Sequence, residues 1–247
     1  MGREELVSEA RPAFYALAPG GWRDWWTLLH PPYTLWHLSY VALGAATSDE
    51  VDLYRLGMSL LGFFLGVGLA AHALDELRGR PLGTSIPDRV LQGLAIVSLA
   101  GAAAVGAVGV MQVSAWLALF IVVGAFLVVS YNLELLSGAF HSDLWFALAW
   151  GGFPALTGAF AQEGRLEVPA VLVAATCVAI SAAQRTLSTP VRHLRRRIAT
   201  VEGTITLRDG TTEPIGAEAI RAAPEAALKL LSVALPVLAA ALVMSRR

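Results

Sequence analysis

"LGVGLAAHALDELRGRPLGT", residues 65–84, runs from apolar and small residues straight into His72, Asp75, Glu76, Arg78 and Arg80. Charge of this density at the close of a greasy helix marks where a chain leaves a bilayer, because ionisable groups cost far less at the membrane boundary than at its centre. The rest of the chain repeats the pattern. Apolar runs at 32–48, 54–75, 88–110, 113–133, 142–161, 168–189 and 224–244 are separated by polar stretches, and each can carry a helix across roughly 30 Å of hydrocarbon. The 247 residues are 56% hydrophobic and 15% charged, with mean hydropathy +0.61, which excludes an ordinary soluble domain. The fold class expected is all-α: a polytopic transmembrane helical bundle of about seven spans.

Within the runs, pairs of small residues such as Gly62 with Gly66 and Ala102 with Gly106 recur at four-residue spacing, which lets helix backbones approach closely. No signal peptide is read at the N-terminus. "GGWRDWWTLLHPP" reads as an amphipathic segment with Trp22, Trp25 and Trp26 at the headgroup level, ended by Pro31 and Pro32. The lone Cys177 lies in a span and reads as inert packing. "GTITLRDGTTEPI" alternates about Asp209-Gly210, the pattern of a small β-hairpin, with Pro224 expected to start the last span. The chain divides into an amphipathic segment at 1–30, a transmembrane core at 31–190, a basic loop with the hairpin at 191–223, and a last helix and tail at 224–247.

Arginine placement sets an expected orientation. With the N-terminus cytoplasmic, that side collects Arg3, Arg11, Arg23, Arg78, Arg80, Arg89 and the series from Arg185 to Arg221, while the far side keeps Arg55, Arg165 and the two terminal arginines. The expected location is a cytoplasmic membrane of prokaryotic type. Arg195, Arg196 and Arg197 read as charges attracted to anionic lipid, and nothing in the pattern suggests nucleic-acid binding.

Unusual polar residues gather at the ends of the second, fourth and sixth runs. His72, Asp75, Glu76 and Gly79 share a helix face, and His72, Asp75 and Glu76 are candidate ligands for a divalent cation. Tyr131, Asn132 and Glu134 close the fourth run, and His141 and Asp143 open the fifth. At the close of the sixth, Gln184, Arg185, Ser188 and Arg192 offer hydrogen bonds and guanidinium groups, which can fork onto a phosphate without a metal. Alternatively these polar groups are solvated helix ends, with Asp143 a helix cap and Asp75 and Glu76 paired to Arg78 or Arg80.

The layout resembles the UbiA superfamily of intramembrane prenyltransferases over about residues 25–195. The resemblance rests on the opening "HPPYTLWHLSYVALGAA", a polar motif after the second span, a Tyr-bearing loop before a Gly-rich fifth span, and a polar motif after the sixth. Where that family carries Asn-Asp-x-x-Asp-x-x-x-Asp, this chain reads Ala71, His72, Asp75 and Gly79, with Glu76 beside Asp75. Where it carries a second Asp-x-x-x-Asp, this chain has Gln184 and Ser188. The resemblance implies a cavity open to the bilayer and capped by polar loops. It further implies Asp75 and Glu76 as catalytic residues and Mg2+ as a possible cofactor held by His72, Asp75 and Glu76. The substrate implied is an isoprenyl diphosphate or related membrane lipid, bound by Arg78, Arg80, Tyr131, Asn132, Glu134, His141, Asp143, Gln184, Arg185 and Arg192.

Two other readings stand beside prenyl transfer. In one, His72, Asp75, Glu76, Glu134, His141 and Asp143 converge as a metal site for redox or hydrolytic lipid chemistry. In the other, the protein is a non-catalytic lipid- or quinone-binding module. The orientation has its own test: cysteines introduced at 80–85 and 205–213 are expected to label from the cytoplasmic side, and cysteines at 163–166 from the opposite side. Labelling of 163–166 from the cytoplasm reverses it.

Overall fold

The computed structural model describes residues 11–246. A short helix α1, Trp22–Leu29, leaves Trp22, Trp25 and Trp26 exposed while Asp24, Thr27 and Leu28 face inward. This helix stops just before Pro31 and Pro32, which also open helix α2, Pro31–Ala45, where their missing N–H groups cost nothing. His30 makes the joint in a left-handed conformation with φ 48°. Helix α3, Leu53–Leu77, is capped by Asp52, whose carboxylate accepts from the Tyr54 and Arg55 amides at 2.9 and 3.1 Å. Helices α4, Asp88–Gln112, and α5, Leu117–Asn132, follow. A left-handed turn through Glu134, Leu136, Ser137 and Gly138 then leads to α6, Asp143–Glu163. Helix α7, Val168–Arg197, is joined to α8, Ala217–Met244, by an antiparallel hairpin of β1, Gly203–Thr206, and β2, Thr212–Ile215.

The protein is an integral membrane protein by the length and composition of its helices. Five of them, α3, α4, α6, α7 and α8, are long and apolar enough to span a bilayer. The two remaining apolar runs form shorter helices than their sequences suggest, 15 residues in α2 and 16 in α5. Residues 113–116 are taken up by a turn, so α5 is only about 24 Å long. The last helix starts at Ala217 rather than at Pro224, which lies within it.

Two helices contain wider, π-type turns: Phe64–Ala71 in α3 and Leu148–Gly152 in α6. Such turns free carbonyl oxygens from the regular ladder. At the bundle centre α2 and α6 touch backbone to backbone. A Cβ on Gly44 would lie 1.9 Å from the Ala155 carbonyl oxygen, and one on Gly158 would lie 2.1 Å from that of Val41. The small-residue spacing between α3 and α4 is looser, since a Cβ on Gly66 would meet Ala102 at 3.9 Å.

Backbone cannot yield as a side chain can, so Gly158→Val is expected to destabilise the fold by about 3 kcal/mol or more. Gly57→Ala, whose new Cβ meets nothing within 4 Å, is expected to be tolerated. Thermal unfolding of both variants in one detergent measures the contrast; equal losses would remove the crossing from its central role.

Candidate functional site

The ends of α3, α5 and α7 and the start of α6 meet at one end of the bundle, which is rich in arginine. Asp75 is half-buried there, within the electrostatic reach of Arg192, Arg196 and His141, and has no hydrogen-bond partner among the described residues. Tyr131 is 6% exposed, and its hydroxyl is buried without a partner among the described residues. The charges of Arg185, Arg192, Asp75 and Asp143 all act on it. Its ring stacks on His141 at 4.5 Å and meets Trp150 edge-on at 5.5 Å. Arg192 donates to the Ser188 hydroxyl at 3.1 Å and the Thr189 hydroxyl at 3.3 Å, with no carboxylate partner among the described residues.

Glu76 has a different role from the one its spacing suggests. It is fully buried, and its carboxylate accepts three hydrogen bonds from the loop after α3: Leu82 N at 3.0 Å, and Thr84 N and Oγ1 both at 2.8 Å. Helix periodicity puts Glu76 near Asp75, but the returning loop captures it. Arg80 holds the same loop through the Thr84 and Ile86 carbonyls and Asp88. Asp24 joins α1 to it by accepting from Ser85 N at 3.0 Å. Arg78 reaches across to Leu133 O and to Glu134 at 2.7 Å. That hydrogen bond is the main reason the Glu134 carboxyl lies below its usual range.

The expected lipid-binding residues divide in the same way. Asn132 is spent on its own helix, donating to Val128 O at 2.7 Å. Asp143 accepts from Arg185 Nε at 2.7 Å, and the Arg185 guanidinium lies over the Phe146 ring at 5.2 Å. Gln184 is buried, with an unpartnered side-chain oxygen. His141 donates from Nδ1 to Tyr131 O at 3.0 Å. Arg195 is not a lipid-facing charge: it bonds both oxygens of buried Glu225, at 2.6 and 2.9 Å.

Two histidines tie the π-type turns to this region. His72 donates from Nδ1 to Gly68 O, and His37 from Nδ1 to Trp150 O, each at 3.0 Å. A carbonyl only accepts, so the proton sits on Nδ1 in both rings. The His72 ring lies 4.1 Å from that of His30. Burial first, then the neighbouring His72 and Arg196, hold the His30 imidazole well below its ordinary range. His30 and Arg196 were not among the site residues expected from sequence. The first lies in the stretch read as an amphipathic segment, and the second in a row of charges read as attracted to anionic lipid.

Magnesium does not fit this donor set. Glu76 is taken by the loop, His72 offers an imidazole nitrogen where magnesium prefers oxygen, and Gln184 and Ser188 bring no charge. Among the described residues no three of His, Cys, Asp or Glu stand together as a metal site. The six-residue metal cluster is likewise dispersed, since Glu134 and Asp143 each face an arginine.

An apolar cavity of about 160 Å³ lies between α3, α4, α5 and α6, reaching from Tyr54, Arg55 and Gln112 at the opposite end of the bundle to Val128 and Trp150. Gly66, Val67, Ala102, Phe120, Val128, Trp150 and Phe153 are in its wall. Trp150 therefore touches both the cavity and Tyr131. Compared with known families, curated proteins and solved structures, the chain matches none.

Replacing Glu76 by Gln puts an NH2 where an acceptor is needed. The expected loss is about 2 kcal/mol, together with faster proteolysis within residues 78–87. Limited digestion and thermal unfolding read both; an unchanged loop would return Glu76 to the list of free carboxylates.

Proposed function

We propose that the protein is an intramembrane prenyltransferase of UbiA-like type that accepts an isoprenyl diphosphate or related lipid from the cytoplasmic side. The observation that carries this reading is the link that Trp150 makes between a cationic helix end and an apolar cavity: it lines the cavity and meets Tyr131. Arg192 has no carboxylate partner among the described residues, and the Tyr131 hydroxyl is buried without a partner among them. An apolar cavity suits a polyisoprenoid tail, and guanidinium and phenol groups suit its phosphate. Charge building on a departing phosphate is stabilised by fixed guanidinium and phenol donors that need no reorganisation. The Tyr131 ring and Trp150 supply π-faces to an allylic cation formed beside them.

A second reading has one specific observation in its favour. Gln184 and Ser188 are uncharged where the resemblance leads one to expect carboxylates, which suits a protein that binds a lipid or quinone without transforming it. Purified full-length protein in nanodiscs, given radiolabelled farnesyl diphosphate and a membrane lipid extract, separates the two. Prenyl transfer is expected, with product formation in Arg192→Gln reduced by about tenfold or more at subsaturating substrate. Binding without product supports the second reading, and no binding overturns both.

A further inference from the structure

Several arginines at the Asp75 end of the bundle are paired within the protein. Arg78 faces Glu134, Arg80 faces Asp88, Arg185 faces Asp143 and Arg195 faces Glu225. Arg192 and Arg196, one turn apart on α7, both act on Asp75 and have no carboxylate partner among the described residues. Arg196 donates through Nε to Pro12 O at 3.2 Å, a neutral acceptor. The Ser188 hydroxyl is already the seat of the Arg192 guanidinium, at 3.1 Å. The Tyr131 hydroxyl, in a residue only 6% exposed, lacks a partner among the described residues and lies in the field of Arg192.

We infer that this site binds the phosphate of its lipid directly through Arg192, Arg196 and the Tyr131 hydroxyl, without a divalent metal ion. The inference rests on the prenyl-phosphate reading above and specifies how that headgroup is held. A guanidinium forks onto phosphate oxygens in the plane of its N–H groups, and a buried phenol donates to a third oxygen at no cost in ordering. Magnesium, by contrast, demands near-octahedral oxygen ligands, and the one carboxylate left for it is Asp75. Asp75 then has the opposite role from a metal ligand. Its negative charge opposes the incoming phosphate and is outweighed by two guanidinium groups.

The two modes give opposite signs for one substitution. Binding of farnesyl diphosphate to the full-length protein is measured by titration in nanodiscs, once with EDTA and once with excess Mg2+. Inorganic diphosphate serves as the tail-free probe. The expected Kd for farnesyl diphosphate changes less than twofold between the two buffers. Asp75→Asn is expected to bind equally well or up to about threefold tighter, whereas Arg192→Gln binds at least tenfold more weakly in both buffers. Arg192→Lys, which keeps the charge but loses the fork, lies between. Inorganic diphosphate is expected to compete only at much higher concentration; competition at equal concentration would reduce the site to a free-phosphate clamp and overturn the lipid assignment. Binding that EDTA abolishes and Mg2+ restores, or that Asp75→Asn destroys while its thermal unfolding stays normal, overturns the metal-free mode and leaves the prenyl-phosphate reading intact. Absence of binding in both buffers overturns both.

Discussion

The α2–α6 crossing is the constraint on which the architecture rests. Carbonyl oxygens of Ala155 and Val41 occupy the space where side chains of Gly44 and Gly158 would stand, so the two helices pack at backbone distance. Lipid offers apolar side chains no less favourable surroundings than a helix neighbour does, and close packing of this kind is what holds a bundle together in a membrane. The same helix α6 packs against α7 through Gly151, whose Cβ would meet the Cys177 carbonyl at 2.5 Å. Helix α6 is thereby held between α2 and α7. Its first turns, with Asp143 and Phe146, are fixed opposite Arg185.

The π-type turns create a second requirement. A carbonyl freed from its ladder in hydrocarbon must be satisfied from within the protein. His37 and His72 satisfy the Trp150 and Gly68 carbonyls, respectively. These imidazoles therefore connect α2 to α6 and brace the end of α3, which explains polar residues at positions where packing alone would favour Leu. The bracing also fixes Trp150, which stands between the apolar cavity and Tyr131.

At the arginine-rich end the pairs are of different quality. Arg78 with Glu134 is exposed and adds little to stability. Arg195 with Glu225 is buried and bonded through both carboxylate oxygens, so loss of either partner would strand a charge. Arg192 and Arg196 act on Asp75 without a carboxylate partner among the described residues, and the Tyr131 hydroxyl is buried without a hydrogen-bond partner among them.

From its sequence alone the chain declares an α-helical membrane protein, a hairpin at Asp209-Gly210 and a tryptophan-bearing interfacial segment. Hydrophobic run length, turn residues and amphipathic spacing are local properties of the chain. The ends of the runs were also legible as the places where polar chemistry gathers, because charge is confined to membrane boundaries. Which polar groups remain available was decided only by tertiary structure. Glu76 and Asp75 are neighbours in sequence and equivalent in chemistry, yet a loop returning from Thr84 engages one and leaves the other free. Arg195 and Arg196 are likewise adjacent, one buried against Glu225 and the other exposed and donating to the Pro12 carbonyl. Successive residues on a helix point about 100° apart. Their fates therefore depend on which distant segment packs against each face, and local sequence does not carry that information.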